Sequence, residues 1–125
     1  MPSNYDKALL DPAKNGHRHE VLIPVLMTHG ANIEATNEDG YTPLMLAAQY
    51  GKTTCLEALI KAGANIEAVT TQGFTPLILA ARFGKKECLE ALIQAGADLN
   101  TAKSQGLTAL MIATKNGQTT CLEAL

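Results

Sequence analysis

Gly51-Lys52-Thr53 is the triplet with which a phosphate-binding loop ends, and it is one of few places in this sequence where chemistry could sit. Such a loop needs another glycine five residues upstream and a strand before it, because its backbone N–H groups must wrap round the anion. Leu46 stands where that glycine belongs, and the letters before Gly51, PLMLAAQY, read as a helix. The equivalent triplets further along are Gly84-Lys85-Lys86 and Gly117-Gln118-Thr119, so Lys and Thr are not kept within the chain. The triplet is read as an inter-helix turn, and no nucleotide is expected on it.

The other reactive side chains fare no better. His17 and His19 flank Arg18, and His29 follows ten residues later. A cation between two imidazoles disfavours a metal, so they are read as surface histidines. Cys55, Cys88 and Cys121 form no C-x-x-C pair that would chelate zinc, and three thiols cannot all pair within one chain. Each lies beside a leucine, Leu56, Leu89 or Leu122, on the inward face of an apolar stretch, where cysteine acts as a small hydrophobe. Free thiols in a reducing compartment follow. No Ser-His-Asp or Cys-His grouping is framed by a catalytic loop, and Glu57, Glu90 and Glu123 recur at one register as a solvated helix face. The reading is therefore a non-enzymatic protein with no catalytic residue, metal site or cofactor.

The cysteines do reveal the organisation, because they follow one another at intervals of 33 residues. Shifted by that period, Gly40-Tyr41-Thr42-Pro43-Leu44 returns as Gly73-Phe74-Thr75-Pro76-Leu77 and as Gly106-Leu107-Thr108-Ala109-Leu110. Cys55-Leu56-Glu57-Ala58-Leu59 recurs letter for letter at 88–92 and 121–125. Thr42 and Thr75 suit helix N-caps, and Pro43 and Pro76 suit the first helical position, where a missing N–H costs nothing. The first helix stops at Gly51, a residue that readily turns left-handed. A second helix, over about residues 53–62, puts Cys55, Leu56, Leu59 and Ile60 on one stripe and stops at Gly63. Helices this short are marginal alone, so stability must come from stacking repeat on repeat. Ala47-Ala48 and Ala80-Ala81 would let neighbouring first helices approach closely.

The pattern G-x-T-P-L-x-L-A-A-x-x-G, then an apolar helix and G-A-[ND]-[IL], resembles the ankyrin repeat, strongly over residues 31–125 and weakly over 4–30. The resemblance implies an all-α fold: a solenoid of stacked helix-turn-helix units with short turn or β-hairpin-like loops. Residues 1–125 then form one domain. Residues 4–30 make a degenerate N-terminal cap repeat, 31–63 and 64–96 full repeats, and 97–125 an incomplete C-terminal repeat that stops inside its second helix. In the cap, Pro12 falls where Ala47 belongs and Pro24 where Glu57 belongs, which predicts irregular helices.

Two departures from the family pattern carry expectations. Met45, Ile78 and Met111 replace the usual histidine, so its bonds to the turn should give way to apolar packing. Asn37, Thr70 and Lys103 replace the usual turn-opening aspartate, which predicts weaker side-chain bonds and looser loops in the second and third turns.

Overall charge limits the partners. Ten Lys and Arg against 12 Asp and Glu leave a net charge of −2, with no basic stripe for nucleic acid. The longest near-continuous apolar run, 21–27, is broken by Pro24 and is far shorter than the roughly 20 residues a membrane span needs. The beginning MPSNYDK is not a secretory signal, so a cytoplasmic, or at least intracellular, location is expected, the nucleus included.

Specificity is expected where the repeats disagree. The turn tips offer Glu38, Asp39 and Tyr41, then Thr71, Gln72 and Phe74, then Ser104, Gln105 and Leu107. The ends of the first helices offer Gln49-Tyr50, Arg82-Phe83 and Lys115-Asn116. In ankyrin-like proteins these positions line a concave groove that contacts a protein partner. Four of the five Phe and Tyr residues fall there, as two apolar rows: Tyr41, Phe74 and Leu107, and Tyr50 with Phe83. Either they anchor a partner or they pack on adjacent turns. Arg82, Lys85 and Lys86, with Lys52 one repeat earlier, are either a solvated edge or a patch that steers an acidic partner. Asn100 in GADLNTA is similar in setting to substrates of an asparagine hydroxylase, with Leu92 eight residues before it. The functional reading is a protein-interaction module binding a protein in that groove, with neither nucleic acid nor membrane as partner. The alternative is a structural segment of a longer array, self-associating through the open C-terminal repeat.

Overall fold

The computed structural model describes residues 30–99, 111–113, 117 and 119–125. Five helices follow in order: α1 Pro43–Tyr50, α2 Thr53–Lys61, α3 Pro76–Arg82, α4 Lys86–Gln94 and α5 Thr119–Ala124. Residues 111–113 are also helical, and there is no strand among the described residues. The all-α, helix-turn-helix organisation is the one the repeat implies. Residues 1–29, and with them the irregular cap helices predicted at Pro12 and Pro24, lie outside the described residues.

The first helices start as their sequences dictate. Thr42 is extended (φ −81°, ψ 167°), and its Oγ1 accepts the Met45 N–H at 3.3 Å. Thr75 Oγ1 accepts the Ile78 N–H at 3.2 Å, and in both helices proline takes the first turn. The structure corrects the expectation for Met45. Its side chain is fully buried, as apolar packing requires, but its Sδ also accepts the Thr42 N–H at 3.3 Å. A thioether is a weak acceptor, yet here it closes a reciprocal capping box that a polar residue would ordinarily close.

Gly51 ends α1 with φ 72°, and the Lys52 N–H turns back to the Ala47 carbonyl at 2.8 Å. A Cβ at Gly51 would stand 3.0 Å from Cδ of Lys85, whose aliphatic stem crosses it from the next repeat. The left-handed conformation therefore selects glycine there, while the flexible Lys85 stem could shift aside.

α1 packs on α2 and α3, α3 on α4, α2 on α4, and α4 on α5. First helices thus form one layer and second helices the other. The two layers are buried differently. α1 buries residues 43–48 and α3 residues 76–81 without a break, because each is covered by its own second helix and by the neighbouring repeat. Ala47, Ala48, Ala80 and Ala81 are wholly inaccessible, as close approach of α1 to α3 demands. α2 and α4 bury only the stripes Cys55, Leu56, Leu59 and Cys88, Leu89, Leu92. Burying each leucine contributes about 1.5–3 kcal/mol, so the interfaces hold helices that could not persist alone.

Polar bonds repeat across the interfaces with the same period. Glu34 Oε2 accepts the Asn65 N–H at 2.8 Å, and one repeat on Glu67 Oε2 accepts the Asp98 N–H at 2.7 Å. The Cys88 thiol reaches the Ala47 carbonyl at 3.8 Å and the Thr53 hydroxyl at 3.5 Å, while the Cys121 thiol reaches the Ala80 carbonyl at 4.0 Å. Thr71 Oγ1 donates to the Asp39 carbonyl at 3.1 Å, linking successive turn tips.

The second turn is firmer than expected. Asn37 Oδ1 accepts the Asp39 and Tyr41 N–H groups, both at 3.0 Å. Thr70, itself buried, does the same through Oγ1 for Gln72 at 3.3 Å and Phe74 at 3.1 Å. A hydroxyl reproduces the bonds of the missing carboxylate because the turn brings both N–H groups within its reach. Lys103 and the third turn lie outside the described residues.

Candidate partner-binding surface

Since α1 and α3 are buried along most of their length, only their C-terminal ends and the preceding turn tips offer side chains outward. Tyr50, the last residue of α1, and Phe83, just past α3, are each 41% exposed at equivalent registers. Every other large apolar residue of these two helices is buried. Arg82, the last residue of α3, holds its guanidinium carbon 5.4 Å from the Phe83 ring centre and 5.2 Å from that of Phe74. Attraction of a cation to an exposed ring is worth about 0.5–1 kcal/mol, enough to bias the long side chain towards one position.

Phe74 does not belong to an exposed aromatic row. It is 3% exposed and part of the core cluster, so the predicted row of Tyr41, Phe74 and Leu107 loses its middle member as an exposed residue. The Arg82 guanidinium lies over the same ring. Tyr41 is half-buried. Burial pushes its phenol above the ordinary value of 10.0, Asp39 and Tyr50 push the same way, and Arg82 opposes them. The Tyr41 hydroxyl therefore keeps its proton at neutral pH.

Gln49 is half-buried, with Oε1 enclosed and no donor within reach. Glu38, Asp39, Thr71 and Gln72 are exposed on the two turn tips. Lys52, Lys85 and Lys86 are half-buried on the turns that follow the exposed aromatics. Ser104, Gln105, Leu107, Lys115, Asn116 and Asn100 lie outside the described residues.

The three thiols are free and buried. Burial raises the Cys55 thiol to about 12, with Cys88 adding to the effect. Burial also raises Cys88, against a Thr53 hydrogen bond and Lys85, while Glu87 and Glu57 add to the rise. Among the described residues no group of three His, Cys, Asp or Glu side chains could hold a metal ion. No described helix is long and apolar enough to cross a membrane.

Sequence reasoning missed the Arg82–Phe74 contact and the Glu34 and Glu67 bridges. The second had a visible signal, since both glutamates sit 33 residues apart beside the same A-N-I-E motif.

A family model described as ankyrin repeats in three copies matches residues 55–125, and one described as ankyrin repeats in many copies matches residues 26–80. Comparison with curated proteins finds no match. Repeats of this kind generally serve as protein-interaction modules rather than as enzymes. The first match alone spans more than half of the 125 residues and agrees with the helix pairs described above, so the chain belongs to the ankyrin-repeat family.

Proposed function

We propose that this chain is a non-enzymatic module that holds a protein partner in a groove formed by its turn tips and the ends of its first helices. The observation that carries the reading is the pair Tyr50 and Phe83, left 41% exposed at one register while the rest of both first helices is closed. Aromatic side chains bared in a row on a rigid scaffold are what interface anchors look like before binding. Glu38, Asp39, Thr71 and Gln72 supply the polar rim, on turns fixed by their own side-chain bonds. Ser104, Gln105, Leu107, Lys115 and Asn116 extend the same registers into the third repeat. Three free buried thiols suit a reducing, cytoplasmic setting.

The test is capture of binding proteins from the source organism's lysate on the immobilised chain, beside a Tyr50→Ser, Phe83→Ser variant. Both positions are exposed, so the variant should keep the thermal melt. A bound protein should be lost, or weakened by tenfold or more, equivalent to about 1.4 kcal/mol or above. Equal capture by both proteins would refute the groove. A chain whose mass in solution rises with concentration and which captures nothing would favour self-association instead.

A further inference from the structure

We draw no further inference here: the strongest candidate, the apolar surface of the third repeat at Met111, which is 50% exposed where Met45 and Ile78 at the same register are buried, carries nothing because nothing in the structure shows what covers it.

Discussion

At the residue scale, Gln49 holds a buried side-chain acceptor near the end of a first helix. Its Oε1 is enclosed without a donor, although residues 43–48 of the same helix are apolar and buried. A buried acceptor left unsatisfied costs about 1–3 kcal/mol, so Gln49→Met should raise stability by about 1 kcal/mol, read as a higher urea midpoint at unchanged slope. An unchanged or lower midpoint would mean that the amide is satisfied in solution. The cysteines make a second prediction, about alkaline pH. Cys55 ionises at about 12 when folded and near its ordinary value of 9.0 when unfolded, so above 9 the unfolded chain binds fewer protons. Stability should be flat below that point and then fall by about 1.4 kcal/mol per pH unit from this residue alone. Cys88 and Tyr41 are shifted in the same direction and add to the fall. Urea unfolding from neutral pH to roughly pH 11 measures it, and Cys55→Val, which fills the space without a thiol, should make the decline shallower.

At the scale of the elements, local signals were enough wherever one segment decides its own shape. Thr-Pro starts and glycine stops placed α1 and α3 because caps depend on neighbours in sequence. What one repeat does to the next was not legible. Phe74 and Tyr41 occupy the same register, yet one is buried and the other only half-buried. Met45 looked purely apolar until the turn placed its sulfur beside the Thr42 N–H. The loop predicted to loosen at Thr70 kept both bonds, since a hydroxyl at that point reaches the same two N–H groups as the Asn37 amide oxygen. Nothing local to Glu34 or Glu67 announces a partner, yet each bridges to the following repeat's A-N-I or A-D-L segment. Glu67→Ala should therefore speed exchange of the Asp98 amide hydrogen about tenfold and lower stability by about 1 kcal/mol. Exchange at Asp98 unchanged by the substitution would show that the bridge contributes nothing in solution.

For the molecule as a whole, stability is a sum of thin repeats and the interfaces between them, which is why the framework residues are so nearly identical at each register. Those residues are committed to stacking, whereas Tyr50 and Phe83 stay 41% exposed at one register. The family and its helix pairs were readable from the period alone, while the composition of the surface emerged only once Phe74 was seen in the core and Arg82 over its ring. The most direct test of the central claim is amide hydrogen exchange of the chain with and without a saturating captured partner. Protection should rise at Asp39, Tyr41, Gln49, Tyr50, Arg82 and Phe83 and stay unchanged along the exposed sides of α2 and α4. Protection gained instead on α2 and α4, or confined to α5, would place the partner elsewhere and contradict a groove built from turn tips and first-helix ends.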